Sequence, residues 1–130
     1  FLISQIQAGR VAAAHDVSEG GLLVTVAEML FEDGTLGVEL ALGSLGESSR
    51  LDAVLFGESQ GRVVVAVNPA DVETLLAVAS ETGVEAETIG SVNQEGLFRV
   101  SVAGESVLDV PTIALLEVWQ NAIPDAMNQA

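Results

Sequence analysis

The sequence predicts an α+β fold, a mixed β-sheet covered by helices with a partly ferredoxin-like chain path, in which residues 1–130 make one domain. Three observations carry this expectation. The chain has 130 residues, 49% of them hydrophobic, which is one domain's worth of chain with enough apolar surface to build a core. Its apolar positions switch repeatedly between the helical period and the period of two, or the continuous run, that marks a strand. The switches fall in the order α-β-α-β-α-β-α-β-β-α, the interleaving that a sheet covered by helices requires.

Phe1 to Ala8, with Phe1, Leu2, Ile3 and Ile6 apolar, reads as the tail of a helix closed by Gly9. Val11 to Ala14 is a short apolar run and predicts a buried strand. Gly21 to Phe31 sets Leu22, Val26, Met29 and Leu30 on one helical stripe, which Glu32-Asp33-Gly34 stops. Leu36, Val38, Leu40 and Leu42 alternate with Gly37, Glu39 and Ala41, the signature of a half-buried strand. Gly43 to Ser49 is small and polar, a loop, and Arg50 to Phe56 then supplies a helical turn with Leu51, Val54 and Leu55 inward. Val63 to Val67 is five apolar residues, four of them β-branched, and predicts a central strand buried on both faces. After Asn68-Pro69, Ala70 to Thr82 predicts a helix with Val72, Leu75, Leu76 and Ala79 inward, ending at Gly83. Ala86 to Val92 and Leu97 to Val102 flank the turn residues Asn93 to Gly96, which predicts a β-hairpin. Asp109 and Pro111 signal the start of a last helix that runs through Ile113, Leu116 and Trp119 towards Pro124.

Charge narrows the classes of function. Nineteen acidic residues face four arginines and no lysine, a net charge of −15. Such a surface repels phosphate backbones, so no nucleic acid is expected as a partner. A phosphate ligand would need counter-charge from Arg10, Arg50, Arg62, Arg99, backbone N–H groups, a metal or another domain. The absence of cysteine excludes disulfides and thiolate chemistry, and the single histidine, His15, excludes a multi-histidine metal site. No apolar run approaches the roughly 20 residues that span a bilayer, and the opening Phe1-Leu2-Ile3-Ser4 lacks the basic region of a signal peptide. The expectation is a soluble, cytoplasmic protein with no membrane partner. A chain that opens on Phe1 rather than Met is also expected to be a fragment of a longer one.

Two turns carry the candidate chemistry. In His15-Asp16-Val17-Ser18-Glu19-Gly20-Gly21, a strand delivers polar side chains and two glycines onto a helix. Asp16 or Ser18 is placed to cap that helix, whose free N–H groups attract anions, and Gly20-Gly21 let a backbone or a ligand come close. The plain alternative is a capped strand-to-helix turn. In Phe56-Gly57-Glu58-Ser59-Gln60-Gly61-Arg62, Glu58 is a second turn carboxylate, while Ser59 and Gln60 suit an amide or a ribose hydroxyl. Carboxylates such as Asp16 and Glu58 suit Mg²⁺, a hard ion that arrives with phosphates; the alternatives are a solvated acid and a satisfied histidine. Each turn flanks a strand, so both are expected at one edge of the sheet, where ligands of α/β sheets gather. No Gly-x-Ser-x-Gly elbow or phosphate-binding Gly-Lys loop is present, and no residue is assigned as catalytic.

Ala14-His15-Asp16-Val17-Ser18-Glu19-Gly20-Gly21-Leu22 with Ala27-Glu28-Met29, together with Leu55 to Val65, resembles the C-terminal domain of the phosphoribosylformylglycinamidine synthases, members of the AIR synthetase-related superfamily. Ile89-Gly90, Trp119, Ala122, Pro124 and Met127 fit the same resemblance, which covers essentially all 130 residues. It implies an AIR synthetase C-terminal-domain-like fold. It also implies a parent enzyme that makes formylglycinamidine ribonucleotide from formylglycinamide ribonucleotide, ATP and glutamine-derived ammonia in purine synthesis: the formyl amide oxygen is phosphorylated and ammonia displaces the phosphate. The implied cofactors are ATP and Mg²⁺ in the full enzyme, with none bound tightly by this domain alone. The implied partners are an N-terminal ATP-binding domain and a duplicated unit of the same chain, with a glutaminase subunit or domain supplying the ammonia. By analogy with the equivalent domain of the first unit, Glu58, Ser59 and Gln60 would contact substrate and Asp16 would assist the metal. The alternatives are a domain of another ATP-dependent member of the superfamily and a non-catalytic interface module.

Overall fold

Residues 1–32, 34–43 and 50–128 are described by the computed structural model. Along them run α1 (Leu2–Gln7), β1 (Val11–Asp16), α2 (Gly21–Glu28), β2 (Gly37–Leu42), α3 (Leu51–Phe56), β3 (Val63–Val67), a 3-10 turn (Pro69–Asp71), α4 (Val72–Glu81), β4 (Gly90–Asn93), β5 (Leu97–Val102), β6 (Glu105–Pro111) and α5 (Thr112–Asn128). From Ser44 on, the expected loop over 43–49 lies outside the described residues, as does Asp33 of the expected helix stop.

The period-two segments build a mixed four-stranded sheet in the order β4-β2-β5-β6. β2 runs antiparallel to β4 and parallel to β5, and β5 runs antiparallel to β6. One face of the two inner strands makes the core, where Val38, Leu40, Phe98 and Val100 are each at most 3% exposed. Against them pack Leu22, Leu23, Val26 and Ala27 of α2, with Leu30 beyond it and Leu55 of α3. The alternation read from β2 and β5 is therefore the alternation of core and surface: Glu39 and Ala41 point outward from the same strand. The helical stripe of α2 is also inward, although the helix stops at Glu28 and residues Met29 to Phe31 continue as turns, short of the expected end.

Three expectations fail, each for a physical reason. The expected hairpin does not form between β4 and β5, because β2 lies between them. Gly37 makes that insertion feasible: a Cβ there would sit 2.5 Å from the Asn93 side-chain oxygen and 2.6 Å from the Leu97 carbonyl oxygen. The real hairpin joins β5 to β6 through Ala103 and Gly104, both at positive φ, as a tight two-residue turn requires. The expected helix start at Asp109 and Pro111 is instead the end of β6, an edge strand, where a proline without an N–H is tolerated. Pro124 lies inside α5 rather than beyond it.

The third correction concerns Val63 to Val67, which is neither central nor buried on both faces. Among the described residues β3 pairs only with β1, in a separate two-stranded antiparallel ribbon, with Asp16 opposite Val63 and His15 opposite Val64. Val63 is 45% exposed and the rest of the strand half-buried, and in β1 Ala12 to Ala14 are exposed where a buried strand was expected. A β-branched run sets extended geometry; it does not set how many layers cover the strand. Val65→Ala is accordingly expected to cost about 1 kcal/mol or less, near the boundary with surface substitutions. Denaturant melts read this directly, and a loss above about 2 kcal/mol, in the range of core truncations, would restore a fully buried strand.

Candidate functional site at the end of the ribbon

Antiparallel pairing of β1 with β3 brings the end of one strand beside the start of the other, so the two motif-bearing turns meet at one end of the ribbon. Val17 N–H donates to the Arg62 carbonyl at 2.9 Å, extending the ribbon by one step. Across 38 residues of sequence, Gly20 N–H donates to Glu58 Oε1 at 3.1 Å. Between the turns lies a cleft of about 370 Å³ lined by Asp16, Val17, Ser18, Glu19, Glu58, Gln60, Gly61, Arg62 and Val63.

The glycines explain the junction. Gly20 and Gly21 both sit at positive φ, at +79° and +71°, where glycine alone is unstrained. A Cβ on Gly21 would lie 2.4 Å from the main-chain carbon of Phe56, so the close approach that the glycine pair permits is made by the chain itself. The expected capping of α2 by Asp16 or Ser18 is not made. Gly20 is the N-cap without a side-chain cap, the Ser18 main-chain carbonyl accepts from Gly21 N–H at 3.1 Å, and Glu58 supplies the carboxylate at this helix end. A carboxylate there is favoured by the helix dipole and by the free N–H groups of the first turn.

The remaining candidates divide between cleft and scaffold. Asp16 and Gln60 are exposed side chains of the lining. Ser59 is exposed in the same turn but outside the lining. His15 is half-buried and engaged elsewhere: Nδ1 lies 2.7 Å from the Asp16 carbonyl and Nε2 lies 3.4 Å from Glu28 Oε2, which ties the end of β1 to α2. Thr25 adds to the same joint, its hydroxyl donating to the Asp16 carbonyl at 3.4 Å as well as to the Gly21 carbonyl of its own helix at 3.0 Å. Glu19 and Arg62 line the cleft although neither was singled out as a site residue. The signal available for Arg62 was its position one residue before a strand that pairs with the His-Asp strand, but that pairing is not written in either motif.

Mg²⁺ is the ion that the acidic turns suggested. Among the described residues no group of three His, Asp or Glu side chains is arranged to hold a metal ion, and Mg²⁺ requires near-octahedral oxygen coordination. The described residues do not by themselves fit a magnesium site. The other arginines lie apart from the cleft lining. Arg50 pairs with Asp52 and holds its carboxyl below the usual carboxylate range, while the Glu95 hydrogen bond raises the Arg99 guanidinium above its ordinary value.

A helix-covered mixed sheet beside a two-stranded ribbon is a fold that this chain shares with a known family of domains. The chain belongs to that family, AIR synthase related protein, C-terminal domain, which matches over residues 2–103. The relatives are more particular. The phosphoribosylformylglycinamidine synthase subunit PurL of Salinibacter ruber is 44% identical over 123 residues, and that of Moorella thermoacetica 38% identical over 122. Each alignment covers 94% of this chain and 16% of the relative, so the chain spans about one sixth of the length of these proteins. Among solved structures, Thermotoga maritima PurL complexed with ATP superimposes with a TM-score of 0.77 at 25% identity, and the complex with FGAR with 0.77 at 26%. These cover 88% of this chain and 20% and 19% of the respective neighbours. No helix among the described residues is long and apolar enough to cross a membrane.

Proposed function

We propose that these 130 residues are one domain, the last, of a phosphoribosylformylglycinamidine synthase, a cytoplasmic ATP-dependent ligase that forms the amidine of formylglycinamide ribonucleotide with ammonia derived from glutamine. The observation that carries this reading is 44% identity across 94% of the chain to a subunit of that name. The geometry supports it, because both motifs that resemble the family assemble one cleft. In this reading Gln60 and Ser59 offer hydrogen bonds to the bound substrate and Glu58 fixes the turn that presents them. Asp16 contributes at most one carboxylate to a magnesium ion whose other ligands come from elsewhere. The preceding ATP-binding domain, the duplicated unit and a glutaminase partner supply what this chain lacks.

The assay is ADP release by the full-length chain. ADP should form only when formylglycinamide ribonucleotide and ammonia are both present. Release with a different acceptor would assign another reaction of the superfamily, and no release with any acceptor would make the domain an interface module. The 130 residues alone should show no saturable micromolar binding of ATP with Mg²⁺ in titration calorimetry. They have no lysine, no phosphate-cradling loop and a net charge of −15 opposing the triphosphate. Micromolar binding would locate a nucleotide site in this domain and contradict the assignment of that site to the preceding one.

A further inference from the structure

Helix α5 is anchored by its first turns and bare beyond them. Thr112 and Leu116 are buried, whereas every residue from Glu117 to Asn128 is exposed, Val118 at 72%, Trp119 at 56%, Ile123 at 73% and Met127 at 74%. At the helical period Leu115, Val118, Trp119, Ala122, Ile123 and Met127 share one side, and Glu117, Asn121 and Asn128 take the other. The apolar side forms one wall of a groove of about 740 Å³, and Val24 of α2 and Phe31 after it stand on the opposite wall. The ring centroids of Phe31 and Trp119 lie 5.6 Å apart. Among the described residues lining the groove none is charged, in a chain that carries 19 acids.

An amphipathic helix is held by the surface its apolar side buries, because an isolated helical segment as short as residues 117–128 is marginal in water. Pro124 weakens this segment further, since a proline inside a helix has no N–H for the carbonyl four residues back. We infer that the groove between α2 and α5 is the seat of a permanent intrachain interface, covered by the preceding portion of the parent chain. The alignments with the synthase subunits cover 94% of this chain and 16% of theirs, so about five sixths of such a polypeptide is tethered to this domain. A tether raises the local concentration of a partner to roughly the millimolar range. The family-wide match ends at residue 103, ahead of α5, while those alignments take in most of the helix. The groove is therefore part of what this chain shares with the long subunits beyond the common domain. Its lack of charge suits a face that is covered once and stays covered, like a domain core cut in half. A second copy of a chain with a net charge of −15 would be repelled from it. The inference rests on the reading of these residues as the last domain of a synthase subunit.

The test is made on the full-length chain. In the wild type, hydroxyl radicals should oxidise Trp119 and Met127 at least tenfold more slowly than in the same chain unfolded in urea. With Ile123→p-benzoylphenylalanine, irradiation should join that position to residues upstream of this domain, in a product of monomer mass whose yield does not depend on protein concentration. Oxidation of both side chains within twofold of the unfolded rate would leave the groove open and overturn the inference, whatever the fate of the photoreactive variant. Cross-links between two copies, or protection that appears only once a glutaminase subunit is added, would give the groove another occupant and overturn it as well. The ADP-release assay keeps the two readings apart: a full-length chain that releases ADP as expected while Trp119 stays open would lose the interface and keep the enzyme.

Discussion

Replacing Phe98 by alanine is expected to remove about 3–5 kcal/mol of folding free energy, the loss seen when a large aromatic leaves a core that relaxes only partly. The ring is 1% exposed at the centre of the core, on β5, a strand flanked by hydrogen-bonded neighbours on both sides, so no surface loop can collapse into the void. It belongs to the same buried cluster as Leu22, Leu23, Val26 and Ala27 of α2, so the helix-on-sheet layer is built around it. Denaturant melts provide the measurement. A shift below about 1 kcal/mol, typical of surface sites, would mean that the ring does not fill the core. Arg99, the next residue on the strand, is the internal comparison: its exposed pairing with Glu95 should contribute little when removed.

Gly21→Ala is expected to cost about 2–5 kcal/mol, combining left-handed backbone strain with overpacking. The new methyl group would meet the Phe56 backbone at 2.4 Å, and a backbone cannot rotate aside as a side chain can. Something must separate: either α2 moves from α3, or the Gly20–Glu58 bond opens and the cleft with it. Gly9→Ala isolates the two contributions, because Gly9 has a similar φ of +73° and a methyl group there would find nothing within 4 Å. That variant should lose only the strain, on the order of 1–2 kcal/mol. Equal costs at both sites would show that the approach of Phe56 is not what requires a glycine at position 21.

How far the sequence revealed this molecule follows from which forces act locally. The alternation in Val38-Glu39-Leu40 and Phe98-Arg99-Val100 announces one buried face, and both segments are strands with that face inward. The order of helices and strands was legible as far as β5. Pairing was not, because it depends on contacts remote in sequence: Asn93 to Gly96 have the residues of a hairpin turn, and only Gly37, far earlier in the chain, shows that another strand fits between the arms. Likewise the run Val63 to Val67 reports strand propensity with no information about the layers around it. At the site, Asp16 and the Glu58 turn do share one end, but through the antiparallel pairing of β1 with β3 in a separate ribbon and not through a central strand of one sheet, as the sequence reading had it. The identity of the helix cap was not legible, since Glu58 acts from across the cleft while Asp16 and Ser18 were the local candidates.

The chain alternates between its two sheets. β1 lies in the ribbon, β2 in the four-stranded sheet, β3 in the ribbon again and β4 in the sheet again. Neither sheet is therefore a contiguous stretch of sequence, and no single cut or deletion separates one from the other intact. The cleft at the ribbon's end has no foldable unit of its own to be gained, lost or exchanged by recombination. Its geometry can change in evolution only by substitution within a scaffold that must remain whole, so the precision of the site is inherited together with the stability of the core.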